Sequence, residues 1–201
     1  MTELDREFYC KGYQLVCGVD EAGRGPLAGP VCAGAVILDP NDHIEGLNDS
    51  KKLSERKREL LFDQITQRAR AFGIGWASEQ EIDELNILNA TFVAMGRAVK
   101  SLGLTPSVCL VDGNRDPMLG VETVCIIGGD GKSESIAAAS VLAKVSRDRL
   151  MLQLAQEYPA YRFDVHKGYP TKQHRELVQR LGPCPIHRRS FLKKLLPPER
   201  L

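Results

Sequence analysis

Four acidic residues stand where apolar runs stop. Asp20 and Glu21 are adjacent and the apolar run Leu15-Val16-Cys17 leads into them; Asp112 closes SVCLVD; Asp130 sits in GGDGKS. Carboxylates at the mouth of a buried strand are costly unless a cation meets them. No His lies near them in sequence, and the nearby Cys17, Cys109 and Cys125 belong to the apolar runs themselves. Ligation would be by oxygen alone, which favours Mg²⁺ or Mn²⁺ over Zn²⁺. Such a cluster can hold two ions about 3.5–4 Å apart, one preparing an attacking water and one steadying the leaving oxygen of a phosphodiester. Taken singly, Asp112 in VDGN and Asp130 in GGDGKS fit ordinary turn acids. A Gly23-Arg24-Gly25 turn follows the first pair, and its glycines let a ligand backbone come close.

Two phosphate-binding patterns fail. GGDGKS lacks the glycine that a Walker loop needs five residues before Gly131, where Ile126 stands. Gly23, Gly25 and Ala28 match a dinucleotide fingerprint, but Pro26 and Pro30 bracket it and a strand-like run follows where a helix is required.

The elements that must position the acids are legible in order. Residues 14–21 and 30–38 read as buried strands joined by a short turn, hence an antiparallel hairpin. Ser54 starts a helix as a plain N-cap, since Lys57 stands where a capping box needs an acid. A third strand follows at 71–77, two helical pieces at 79–102, a fourth strand after Pro106 and a fifth at ETVCIIG. A long helix spans about Ser133 to Tyr158 and a last one 171–181. This order predicts an α/β fold: a mixed five-stranded sheet led by an antiparallel hairpin, flanked by helices, with a helical C-terminal extension. Side by side, the strand ends bring the acids together. One difficulty stands. Adjacent strand residues face opposite ways, so the strand ends or twists at Glu21, or Glu21 also contributes its carbonyl.

A chain of 201 residues fits one domain, 1–201, with the stretch from about 160 to 201 as a basic extension. Residues 162–201 hold ten Lys/Arg against three Asp/Glu, while the rest is acidic. That split suggests a polyanionic partner. Lys167, Lys172, Arg175, Arg188 and Arg189 make a plausible duplex cradle. On the long helix, Arg147 or Lys144 could screen the acids. The chain has no membrane-length apolar run and no signal peptide, which places it in the cytosol. Its six cysteines lack a C-x-x-C pair, and Cys17, Cys32, Cys109 and Cys125 sit in apolar runs. They read as reduced core thiols, and zinc spacing with the four histidines is absent.

DEAGRGPLAGPV at 20–31, NDSKKLS at 48–54, DELNI at 83–87, VDGN at 111–114, GGDGKSESIAAASVLAKVSRD at 128–148, HKGYPT at 166–171 and HRRSF at 187–191 resemble ribonuclease HII, the type 2 ribonuclease H family. The likeness runs from about residue 14 to 191. It implies a ribonuclease H-like fold and an endoribonuclease that cuts the RNA strand of RNA–DNA hybrids. It further implies incision 5′ of single ribonucleotides in duplex DNA, leaving 3′-hydroxyl and 5′-phosphate ends. The family's four metal ligands fall on Asp20, Glu21, Asp112 and Asp130, with Mg²⁺ or Mn²⁺ as cofactor and two ions in the catalytic state. Gly23, Arg24 and Gly25 match the turn that reads the 2′-hydroxyl, which alone separates RNA from DNA. Tyr169 matches a tyrosine that packs on the sugar at the RNA-to-DNA junction. Asn48, Ser50 and Lys51 match a phosphate-holding loop. The expected partners are hybrids and ribonucleotide-containing duplexes, met by a monomer, with a DNA-clamp contact through SFLKKLLPPERL. The four intact acids argue against a non-catalytic hybrid-binding module. The sister ribonuclease HIII carries an extra N-terminal domain for which this chain has no room.

Overall fold

The computed structural model describes residues 2–200. Its five strands are β1 (Val16–Ala22), β2 (Val31–Ile37), β3 (Ala71–Ala77), β4 (Val108–Asp112) and β5 (Thr123–Ile126), in the spatial order β3-β2-β1-β4-β5. β1 pairs antiparallel with β2, and β2 with β3. β1 pairs parallel with β4, and β4 with β5. The expected hairpin-led mixed sheet is therefore present.

Period-two alternation divides the sheet between two helical layers. On one face Cys17, Val19, Val31, Ala33, Ala35 and Ile37 pack against Ala90, Ala94, Met95 and Ala98 of α4 (Ile87–Lys100). On the other, Val36 packs with Leu61 and Ile65 of α2 (Glu55–Arg68) and Ala139, Leu142 and Val145 of α5 (Glu134–Glu157). α5 lies so close to β1 and β2 that a Cβ at Gly18 would meet the Ser135 carbonyl carbon at 2.0 Å. One at Gly34 would meet the Ala139 oxygen at 2.5 Å. The helix starts are as expected: Ser54 caps α2 by accepting from Lys57 N–H, and Ser133 caps α5 by accepting from Ile136 N–H. Ahead of α4, α3 (Glu79–Leu85) opens on a capping box of Ser78 and Glu81.

The expectation missed α1 (Glu3–Cys10). This helix sends buried Asp5 to the start of α5, where it accepts from Ser133 Oγ at 2.6 Å and Glu134 N at 2.7 Å. The acid satisfies free N–H groups and opposes the positive helix end. Beyond α5 lie α6 (Phe163–His166), α7 (Lys172–Leu181) and α8 (Arg189–Leu192). They close over a third apolar cluster of Leu27, Ala28, Met151, Tyr161, Phe163, Val178, Leu192 and Leu196. Cys17, Cys32 and Cys109 are buried free thiols, while Cys125 is only half-buried.

Candidate active site

The alternation that builds the core also sorts the acids. Asp20 lies on the sheet face that carries Val16 and Gly18, and Asp112 on the face that carries Leu110. The parallel register pairs Val19 with Val111, so the two acids are neighbours one step further on. Asp130 comes from a 3₁₀ turn, Gly129–Gly131, immediately before α5. Oxygens of Asp20, Asp112 and Asp130 lie within 4.8 Å of one another. Asp112 is held by Gly129 N–H, which donates to its Oδ1 at 2.7 Å.

Glu21 does not join that trio. β1 stays regular through Ala22, which pairs with Cys32, so Glu21 faces the α4 side. There it borders a hollow shared with Leu88, Phe92 and Met95, and its Oε1 accepts from Arg24 at 3.3 Å. It also lines the rim of the cleft that holds Asp20 and Asp112.

The trio is strained electrostatically. Burial, with Glu21 and Asp112 beside it, pushes Asp20 well above the ordinary carboxylate range. Burial and Asp112 raise Asp130, and burial raises Glu21 against the opposing pull of Arg24. Crowded, partly desolvated carboxylates resist ionisation until a positive charge arrives. The three oxygens thus fit a hard divalent cation, and the donor set excludes the nitrogen and sulfur ligands that zinc favours.

The cleft, about 220 Å³, gathers most of the expected substrate-reading residues. Asp20, Glu21, Gly23, Arg24, Gly25, Ser50, Lys51, Asp112, Lys144 and Tyr169 line it. Lys51 Nζ stands 3.6 Å from Asp130 Oδ2. The Tyr169 ring would be 3.9 Å from a Cβ at Gly25. Asn48 is outside the lining, its carboxamide oxygen accepting from Asp49 N–H at 2.8 Å.

Two basic residues have other roles than expected. Arg147 does not screen the acids: it is buried and donates to the carbonyls of Ala28, Pro30 and Lys167, each at 3.0 Å. Arg188 is not part of an exposed cradle: it is fully buried and donates to the carbonyls of Gly23, Arg24 and Gly29. Lys144 pairs with Asp148 at 2.7 Å. Asp83, in DELNI, accepts from the backbone N–H groups of Arg189 and Ser190 and so anchors α8. Only distance in sequence hid these links.

Residues 17–194 match the ribonuclease HII family. The chain belongs to that family. It is 62% identical over 174 residues to the ribonuclease HII of Shewanella halifaxensis, covering 87% of this chain and 86% of the relative. The ribonuclease H2 crystal structure from Pyrococcus horikoshii superimposes with a TM-score of 0.77 at 30% identity, over 90% of this chain and 97% of that one. The Archaeoglobus fulgidus ribonuclease HII in a complex with PCNA shares the fold, with a TM-score of 0.77 at 24% identity over 90% and 96% of the two chains. As a ribonuclease HII family member the chain is a metal-dependent endoribonuclease of the ribonuclease H type, a hydrolase of RNA in RNA–DNA hybrids. None of its helices, among the described residues, is long and apolar enough to cross a membrane.

Proposed function

We propose that this ribonuclease HII, besides hydrolysing the RNA strand of hybrids, incises duplex DNA on the 5′ side of a lone ribonucleotide and leaves 3′-hydroxyl and 5′-phosphate ends. The observation that carries this reading is the shared cleft. The Gly23–Gly25 turn, Lys51 and Tyr169 border the same hollow as Asp20 and Asp112. A ribose hydroxyl bound at the turn thus lies beside the acids that would hold the metal.

Each residue has a task in this reading. Asp20, Asp112 and Asp130, with Glu21 at the rim, hold Mg²⁺ or Mn²⁺, two ions in the catalytic state, which supply charge neutralisation at the phosphate and a water acidic enough to attack it. The turn meets the 2′-hydroxyl with backbone groups, because Gly25 offers no side chain in the way. Tyr169, 38% exposed, turns its ring to the next sugar. A deoxyribose can pack there, whereas a 2′-hydroxyl would lose water. Lys51 is 79% exposed at its side chain and free to leave Asp130 for a phosphate; Ser50 and Asn48 shape its loop. No side chain serves as nucleophile.

The same reading takes residues 1–201 as one catalytic domain whose extension, from about residue 160, packs onto Leu27, Ala28 and Met151. A sliding-clamp contact at the C-terminus would use the exposed Lys193, Lys194 and Glu199, since Leu192 and Leu196 are committed to the protein's own core.

The test is a labelled duplex carrying one ribonucleotide, incubated with Mg²⁺, Mn²⁺ or chelator, with the cut mapped at nucleotide resolution. A single cut 5′ of the ribonucleotide, abolished by chelator, is expected. Cutting confined to runs of ribonucleotides would overturn the proposal.

A further inference from the structure

Segment 186–188 is locked beside the turn that follows β1. Ala28 and His187 form an antiparallel bridge, Gly29 N–H donates to Ile186 O at 2.9 Å, and Arg188 N–H donates to Leu27 O at 2.9 Å. That lock drives the Arg188 side chain under the turn. Its Nη2 donates to Gly23 O at 2.6 Å, its Nη1 to Arg24 O at 3.0 Å and its Nε to Gly29 O at 2.8 Å. Among the described residues no carboxylate pairs with it. All its directed hydrogen bonding goes into backbone carbonyls, a fork geometry that lysine cannot reproduce.

The consequence lies on the other side of the turn. A trans peptide aims its N–H opposite to its C=O, and the chain has no cis bond. With the Gly23 and Arg24 carbonyls drawn down onto a buried guanidinium, the N–H groups of Arg24 and Gly25 point outward. Both residues are exposed, and no described protein group accepts from either N–H. Two aligned, unpartnered donors therefore face the cleft.

We propose that Arg188 is a positioning residue for ribose recognition: it fixes the two peptide planes whose N–H groups meet the substrate, and so sets how strongly the enzyme separates a ribonucleotide from its analogue without a hydroxyl. The inference rests on the reading that the Gly23–Gly25 turn senses the 2′-hydroxyl.

The test compares kcat/KM on a duplex with one ribonucleotide and on the same duplex with a 2′-fluoro nucleotide at that position. General destabilisation lowers both values together and leaves their ratio alone. In the unaltered protein the ratio is expected to favour the hydroxyl strongly. Arg188→Lys is expected to shrink it by about tenfold or more, the worth of roughly one charge-assisted hydrogen bond. Arg97→Lys, which loses bonds only to Trp76 and Glu81, should lower the melting temperature and keep the ratio. Phe191→Leu serves if Arg188→Lys does not fold, because the guanidinium lies 5.2 Å from that ring; a twofold to threefold loss of the ratio is expected, at about 0.5 kcal/mol of lost cation–π support. An unchanged ratio in Arg188→Lys and Phe191→Leu overturns the role of Arg188 alone. No preference for the hydroxyl in the unaltered protein overturns the reading of the turn beneath it.

Discussion

Lys51 holds its ammonium 3.6 Å from Oδ2 of Asp130, on the open side of the acid trio. Burial works against its charge, yet Asp130, Asp20, Asp49 and Asp112 together raise its ionisation above the usual lysine value. The ammonium thus sits where a divalent ion's charge is needed, and the two compete. Lys51→Met should tighten metal binding by up to about thirtyfold, the effect of one unit charge on a divalent ion at ~4 Å under water-like screening. The same change should raise KM for the duplex, since a phosphate contact goes with it. Calorimetric titration with Mn²⁺ and steady-state kinetics check the two halves. Weaker metal binding in the variant would show that Lys51 organises the acids and does not oppose the ion.

Asp112 and Asp20 separate chemistry from folding. Asn at 112 keeps the oxygen that accepts from Gly129 N–H, so the turn carrying Asp130 should hold. Asp112→Asn is expected to abolish cleavage and leave duplex affinity within about twofold. Asp20 is raised by burial first and by Glu21 and Asp112 next. A buried acid with a raised pKa disfavours the folded state at neutral pH, where the unfolded chain ionises freely. Asp20→Asn also keeps the bond from Glu21 N–H, 2.7 Å long. In chelator it should melt at or above the temperature of the parent. A clear drop in scanning fluorimetry would make Asp20 a structural acid.

Local signals made most of the fold legible. Unbroken apolar runs marked β1 and β2, and Ser54 and Ser133 marked two helix starts that the structure keeps. The three converging acids were readable because each lies at or just past the end of an apolar run, although β1 itself continues two residues beyond Asp20. Period-two alternation also foresaw the difficulty with Glu21, and the structure resolves it by leaving Glu21 on the opposite face. Longer-range links could not be read. Arg188 looked like part of an exposed basic tail, and its charge does not say that its partners are backbone carbonyls some 160 positions earlier. Asp5 looked like one acid in a mixed terminus, and only the fold brings it to the start of α5.

Gly18 fixes the distance between β1 and α5. A methyl group there would lie 2.0 Å from the Ser135 carbonyl carbon, so the first turn of α5 must move, and the Asp130 turn lies just before it. Gly18→Ala should cost about 1–3 kcal/mol or more by overpacking, a fall in melting temperature of roughly 3–10 °C. Because Asp20 is two residues further along β1, metal affinity should fall as well, by about tenfold. Gly34→Ala, which meets the Ala139 oxygen at 2.5 Å deeper along the helix, should lower the melting temperature and largely spare metal affinity. Equal effects of both variants on metal binding would break the link between this contact and the site.

His174 and His187 join α7 to the segment before α8 through neutral imidazoles. The Tyr169 carbonyl can only accept, so His174 Nδ1 donates to it at 2.9 Å, and His174 Nε2 is left as acceptor. His187 Nε2 therefore donates to it at 3.1 Å, while His187 Nδ1 accepts from Cys184 N–H at 3.0 Å. An added proton would set two donors against each other. Burial pushes both rings down to about 4, against about 6.5 unfolded. Between these values the unfolded chain binds more protons, so stability is complete above about pH 6.5 and falls as pH drops towards 4. The loss should approach about 3 kcal/mol for each ring at the acid end. It should begin in the C-terminal extension and release Tyr169. Hydrogen exchange at pH 5 should show amides of 166–188 opening before those of the sheet, and His187→Gln should flatten the dependence of melting temperature on pH in this window. If sheet and extension open together with no change between pH 7 and 5, the paired imidazoles do not hold the extension in place.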